Sequence, residues 1–361
     1  MKTLHLSLIL FGLLISNMAL ATTGVFPKSV FDNLDYGLYW YGSSDNNEKA
    51  TPGHANAYYD KNSPTVIYVH GWQNNSSKNQ SRETWNVEEN DGPDADLAFA
   101  WRQAGYNVGI LYWNQFADEG EVKDAEAKIW SANGNRDMRW RDSSGSYHNG
   151  PSVSAGQLMF ESLRDNMAGY QGNRVIITGH SLGNQMALVI SKKLKDGINA
   201  GTTNSKLKPV RIALLDPFYS TGEKSYLNNR WVGEVARDYV DELKDWGVIF
   251  EGYRSSGVTS TGVAGDKNVG LLNKIAFVEL KPWYFGWFDI AKKHIAGRWH
   301  YFWSFDFASP SVSNSSEDGL SASTSDSRVK ALMNGNKRLI QIDGRYTKTP
   351  ADDRQKTANR L

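Results

Sequence analysis

Between Arg174 and Lys195 the sequence leaves the chain few ways to fold. A short apolar run, Val175-Ile176-Ile177-Thr178, ends in Gly179-His180-Ser181-Leu182-Gly183. A helix-patterned stretch follows at once, with Leu182, Met186, Val189, Ile190 and Leu194 at helical spacing. A strand that turns into a helix within five residues needs glycine on both sides of the turn. The first permits the sharp bend, and the second lets the helix pack close to the strand. The serine between them is held in a strained conformation that exposes its hydroxyl, beside a helix N-terminus whose free N–H groups favour negative charge. A G-x-S-x-G string by itself is weak evidence, since glycine and serine also make ordinary surface turns; the strand before it and the helix after it carry the reading. Ser181 is the candidate nucleophile.

Strand-like and helix-like stretches alternate through the middle of the chain. Strands are expected over residues 65–69, 107–113, 174–178, 209–215, 248–253 and 274–280, and helices over 94–103, 154–170, 182–195 and 235–246. The alternation predicts an α/β fold, a mostly parallel central sheet with helices on both faces. Two polar stretches interrupt it. Residues 114–153 are too long for an ordinary connection and form a candidate lid or cap. Residues 309–361 read as a polar C-terminal extension, rich in Ser, Asn and Asp at first and charged at the end, with partial disorder expected. One large domain is therefore expected over residues 22–308. Ahead of it, residues 1–21 carry Lys2, an apolar run and Ala19-Leu20-Ala21, the pattern of a signal peptide cleaved after Ala21, with an uncleaved anchor as the alternative. Export, to the periplasm or outside the cell, is the expectation.

The charge is nearly balanced, 40 Lys and Arg against 39 Asp and Glu. Nucleic-acid binding needs a concentrated basic surface, which the sequence lacks. Cysteine is absent, which removes disulfides and thiolate metal sites. His70 has no second ligand at metal-binding spacing, so no metal and no cofactor is expected.

A serine hydroxyl needs a general base and an acid that orients the base. In folds with this turn the chain order is serine, acid, histidine. Five of the seven histidines, His5, His54, His70, His148 and His180, precede Ser181, leaving His294 and His300. His294 is favoured because it leaves room for a terminal helix over residues 296–307, inside which His300 would fall. Asp216 directly follows the apolar run 211–215, at the strand end where open α/β sheets bind ligands, and is the candidate acid. Glu251 is the reserve, while Asp241 and Asp245 fit solvated helix charges. Two N–H donors for an oxyanion are expected from Leu182, after the nucleophile, and from Trp72, where the strand 65–69 runs into His70-Gly71-Trp72.

Taken together, His70-Gly71-Trp72, Gly179-His180-Ser181-Leu182-Gly183, Leu215-Asp216-Pro217 and the late His294 resemble the α/β-hydrolases, and within them the pancreatic-lipase-like serine lipases and esterases. The resemblance spans residues 65–307. It implies an eight-stranded hydrolase sheet, a Ser181-Asp216-His294 triad, hydrolysis of a small-molecule or lipid ester and no catalytic metal. It also implies a place in lipid metabolism, with peripheral contact with a lipid surface left open. The chain departs from secreted animal members in having no cysteine and a tail too short for their C-terminal β-sandwich. An amidase or peptidase with the same triad, or a catalytically silent exported binding protein for glycan or lipid, are the alternatives. The cluster Trp283, Tyr284, Phe285, Trp287 and Phe288 either lines an acyl pocket or belongs to the core.

Overall fold

The computed structural model describes residues 23–88, 92–258, 262 and 265–361. The signal peptide expected over residues 1–21 lies outside them. Among the described residues, eleven strands form one sheet. In chain order they are β1 (Gly37–Tyr41), β2 (Asn47–Lys49), β3 (Thr65–Val69), β4 (Asn107–Tyr112), β5 (Val175–His180), β6 (Arg211–Leu215), β7 (Ile249–Arg254), β8 (Ala276–Glu279), β9 (Ser311–Val312), β10 (Lys337–Asp343) and β11 (Arg354–Asn359). Across the sheet they run β9-β11-β10-β8-β7-β6-β5-β3-β4-β1-β2. From β4 to β10 every pairing is parallel. The edges turn antiparallel, β1 against β4 and β2, and β10 against β11.

The expected strands are found with small shifts at their ends. Their residues are buried on both faces, as a helix-covered parallel sheet requires. The longer helices are α1 (Val122–Trp130), α2 (Ala155–Asn166), α3 (Gly183–Asn199), α4 (Val232–Asp245), α5 (Ile290–Trp303) and α6 (Asp326–Asn334). Successive residues of a strand point to opposite faces. On β5, Gly179 abuts the backbone of Gly183 and Asn184 in α3, whereas the next residue, His180, hydrogen-bonds to His294 in α5. Helices α3 and α5 therefore cover opposite faces, as expected. Helices α2, α3 and α4 pack side by side.

Chain order reverses between β3 and β5. From β3 the chain moves to β4 on one side; from β5 it moves through β6, β7 and β8 on the other. Open α/β sheets bind ligands in the crevice at the carboxyl ends of the strands flanking such a switch. Here those ends carry His70-Gly71-Trp72 and Ser181.

Five expectations need correction. The sheet has eleven strands, where eight were implied: β1 and β2 extend one edge, and β9, β10 and β11 the other. The residues after 308 are thus part of the sheet instead of a loosely ordered extension. Their polar side chains are used internally: Asp326 accepts from Arg211 Nε at 2.9 Å and Arg174 Nη2 at 2.8 Å, while Val329, Leu332 and Leu339 are buried. The first part of the candidate lid 114–153 is likewise built into the body, whereas residues 131–153 are mostly exposed. Asp118, Glu119, Asp124, Glu126 and Lys128 are all buried, and Lys128 pairs with Glu119 at 2.6 Å. Helix α3 runs past the expected 195 to end at Asn199, and the last long aromatic helix, α5, starts at Ile290, six residues before the expected 296.

Candidate active site

The turn after β5 is built by steric necessity at two glycines. A Cβ on Gly179 would lie 2.2 Å from the Gly183 carbonyl oxygen, and one on Gly183 would lie 2.1 Å from the Val69 carbonyl oxygen. No larger residue fits either place. Ser181 between them has φ of 55°, a left-handed conformation costly for a residue with a side chain. Its backbone is tied on both sides: Ser181 N–H donates to Leu215 O at 3.1 Å, and Ser181 O accepts from Phe218 N at 3.3 Å and Asn184 Nδ2 at 2.9 Å. The side chain is only partly buried, at the N-terminus of the 17-residue helix α3. A serine presented by a strand-turn-helix unit at the switch point of a mostly parallel sheet is the α/β-hydrolase arrangement.

Asp216 directly follows β6, the neighbour of β5, and is itself left-handed at φ of 39°. Its carboxylate is buried and fully engaged. Oδ1 accepts from the amides of Ser255 at 3.0 Å and Ser256 at 3.3 Å, and Oδ2 accepts from the Ser256 hydroxyl and from His294 Nδ1 at 2.5 Å. Burial opposes the charge, but the hydrogen bond and attraction of His294, together with the two serines, hold the carboxyl below its ordinary pKa. A buried carboxylate on Nδ1 fixes the imidazole tautomer, leaving Nε2 free to take a proton.

His294 lies on the second turn of α5 and not on a loop, because that helix begins earlier than its aromatic run suggested. The helix comes this close to β6 at Gly297, where a Cβ would sit 2.8 Å from Ser255 Oγ and 3.3 Å from Asp216 Cβ. His294 O accepts from His180 Nε2 at 3.0 Å, and the two rings lie 4.5 Å apart. Among the described residues no hydrogen bond joins the Ser181 hydroxyl to His294; in ligand-free sites this bond is commonly long.

The other candidates separate cleanly. His300 donates from Nε2 to Asp353 Oδ2 at 2.7 Å, in a buried pair that fastens α5 to the segment before β11. Glu251 is buried against Arg211, 3.5 Å away, and accepts from the hydroxyls of Tyr253 and Tyr301. Asp241 pairs with Lys274 at 2.6 Å. None of these three contacts His294 or Ser181 through a hydrogen bond.

Gly71 presses on Ser181, since a Cβ there would stand 2.7 Å from Ser181 Cβ and 3.3 Å from its Oγ. The Gly71-Trp72 peptide is thereby placed beside the hydroxyl. Among the described residues, neither the Trp72 nor the Leu182 backbone N–H donates to another protein group. The Trp72 indole is used elsewhere, donating to Glu119 O at 2.7 Å. His70 shapes the turn: Trp113 N–H donates to Nε2 at 3.1 Å, so Nδ1 carries the proton and donates to Gly71 O at 2.9 Å. Burial lowers the His70 pKa to about 4, and burial together with the neighbouring His294 lowers that of His180 to about 3, so both rings are neutral at neutral pH.

Sequence reasoning missed four supporting residues. Ser255 and Ser256 were readable only as residues just past the end of β7. Gly297 was a glycine inside a helical pattern, which often marks close packing. Asp118, within the polar insertion, accepts from the amides of Asn75 at 2.6 Å and Ser77 at 3.0 Å and from Arg141 at 3.1 Å, fastening the loop that begins at Gly71. Nothing in its local sequence distinguishes it from other acidic residues nearby.

Among the described residues no group of three or more His, Asp or Glu is placed to hold a metal ion. No family model and no curated protein matches the chain. Among solved structures, esterase B from Lactobacillus rhamnosis is similar at 13% identity over 67% of this chain and 73% of that one, with a TM-score of 0.31. An acylaminoacyl peptidase from Pyrococcus horikoshii is similar at 11% identity over 75% of this chain, with a TM-score of 0.36; the chain spans 41% of that peptidase. A thermophilic carboxylesterase cloned from a metagenomic library is similar at 10% identity over 75% of this chain and 82% of that one, with a TM-score of 0.27. These likenesses are distant, and no residue role or substrate is carried over from them.

Proposed function

We propose that the chain is a serine hydrolase of lipase or esterase type that cleaves carboxylic esters through Ser181, His294 and Asp216. Ser181 Oγ attacks the acyl carbon while its proton passes to His294 Nε2. Asp216, on Nδ1, holds the ring and stabilises the imidazolium. Charge developing on the carbonyl oxygen is met by the N–H groups of Trp72 and Leu182. Collapse breaks the bond to the alcohol oxygen, and the alcohol leaves with the proton from Nε2. Water, deprotonated by the same nitrogen, then releases the acid from the acyl-enzyme.

The observation that carries this reading is the 2.5 Å contact of His294 Nδ1 with a buried, serine-held Asp216 on the strand next to that of a strained Ser181. The combination of His70-Gly71-Trp72, the Ser181 turn and Asp216-Pro217 favours the pancreatic-lipase-like branch. The leader pattern of residues 1–21 supports action after export. A fluorophosphonate probe tests the nucleophile: wild type should be labelled and Ser181→Ala should not. Labelling of Ser181→Ala to the same extent sinks the assignment. A series of p-nitrophenyl esters of increasing acyl length, run beside the matching anilides, tests ester against amide.

A further inference from the structure

The aromatic cluster ahead of α5 is divided, with Phe285 in the core and Tyr284 packed against it. Trp287 and Phe288, by contrast, are each 85% exposed and Trp283 is 45% exposed. A second loop joins them. Trp283 N–H donates to Arg345 O at 2.8 Å, its ring lies 5.5 Å from that of Tyr346, and Tyr346 is 71% exposed. Two adjacent loops thus present Trp283, Trp287, Phe288 and Tyr346 to solvent. Monomeric proteins rarely leave such a patch uncovered.

Cations surround these rings. Arg345 lies 4.3 Å over Trp283, Lys293 6.0 Å over Trp287 and Lys292 5.9 Å over Phe285. Between Trp283 and Lys293 opens a cleft of about 220 Å³, also lined by Arg254 and Lys281. Its carboxylate, Glu279, is engaged by Arg254, by Arg338 and by Lys281 at 3.1 Å. With Glu279 and the exposed Asp289 set against Arg254, Lys281, Lys293, Arg338 and Arg345, the surroundings are positive in balance on a chain whose net charge is only +1.

We propose that this patch docks the protein on an anionic phospholipid surface. Trp287 and Phe288 enter the interfacial region, Trp283 and Tyr346 lie at headgroup level, and Lys281, Lys293 and Arg345 face the lipid phosphates. Tryptophan and tyrosine favour the membrane–water interface, and basic residues beside it are drawn to anionic lipid. Charge disfavours a second copy as the occupant, because a two-fold contact would set one positive rim against another. The inference is separate from the hydrolytic reading and does not require it.

The test uses the full chain carrying Ser181→Ala, so that turnover cannot alter the lipid. Sedimentation is measured with phosphatidylcholine vesicles, with and without phosphatidylglycerol. Binding should need phosphatidylglycerol and weaken with salt. Trp287→Ala with Phe288→Ala should weaken it about tenfold or more. Lys293→Gln and Arg345→Gln should each weaken it about fivefold, on the anionic vesicles alone. The Trp287→Ala, Phe288→Ala pair, placed on an otherwise wild-type chain, should leave hydrolysis of a soluble short-chain ester unchanged, which separates docking from catalysis. No binding at low salt, equal binding by the aromatic variant, or a dimer in solution that this variant abolishes would each overturn the proposal.

Discussion

Gly71 stands against Ser181 so closely that a Cβ on the glycine would meet the serine Cβ at 2.7 Å and the His180 carbonyl oxygen at 3.0 Å. The serine cannot retreat, because its backbone is held in a left-handed conformation by bonds to Leu215, Phe218 and Asn184. Gly71→Ala should therefore push the Trp72 amide out of position. The expected loss is about 10²- to 10³-fold in kcat, the effect of losing one oxyanion donor, with the circular dichroism spectrum unchanged. Full activity in a folded Gly71→Ala protein would remove the His70-Gly71-Trp72 turn from the site.

His294 and His300 share a helix but should part in function. His294→Ala should abolish ester hydrolysis, and Asp216→Asn should reduce kcat by about 10⁴-fold through loss of the correct tautomer. His300→Ala leaves Asp353 Oδ2 unpaired, with only Gln341 still donating to Oδ1, so it should cost about 1 to 3 kcal/mol of stability while each folded molecule keeps its activity. Ester turnover and urea unfolding of the three variants check this; an inactive, stable His300→Ala would exchange the two assignments.

Asp118 holds the loop after Gly71 through the amides of Asn75 and Ser77. Asp118→Asn keeps one acceptor and the shape of the side chain, but loses the charge facing Arg141. Its kcat should fall by about tenfold or more with KM little changed, because a displaced donor acts on the transition state more than on ground-state binding. A rise in KM alone would assign Asp118 to substrate binding instead.

Acid should unfold the protein through His70 and His180. Their pKa values are lowered to about 4 and about 3 in the fold, against 6.5 in the unfolded chain. Over that window the unfolded state binds more protons. Stability is thus complete above pH 6.5 and falls as pH drops toward 4, by at most about 1.4 kcal/mol per pH unit for each histidine. Denaturant unfolding at a series of pH values measures the slope. His180→Gln should lower it by up to one proton, and an unchanged slope would contradict the burial of a neutral ring.

Glu126 carries the opposite sign. Burial raises its pKa above 4.5 although Gln185 and Ser220 hydrogen-bond to it, so the fold favours the protonated form. Stability from this group declines as pH rises from 4.5 through the raised value. Glu126→Gln keeps the shape without the charge and should gain stability, relative to wild type, at pH 7 more than at pH 4. A Tm difference that does not vary with pH would refute the assignment.

The sequence by itself determined the serine turn, the parallel strands and the position of Asp216. These are local or periodic signals: two glycines with no room for a Cβ, apolar runs buried on both faces, and an acid at a strand end. It also narrowed the base to two histidines, although the reason for choosing His294, a loop ahead of a later helix, did not survive. Only the tertiary structure shows which carboxylate each ring meets, Asp216 across 78 positions for His294 and Asp353 across 53 for His300, and the proposal of His294 as base rests on that pairing. The same holds for polar composition. Residues 114–153 and 309–361 read as surface, yet some of their charges find partners distant in sequence, such as the buried Glu126 with Gln185 and the half-buried Asp326 with Arg211. Trp287 and Phe288 show the reverse, apolar residues left outside. Hydrophobic pattern reports what a segment can bury alone; which polar groups find partners, and which aromatic ones do not, is settled when the segments meet.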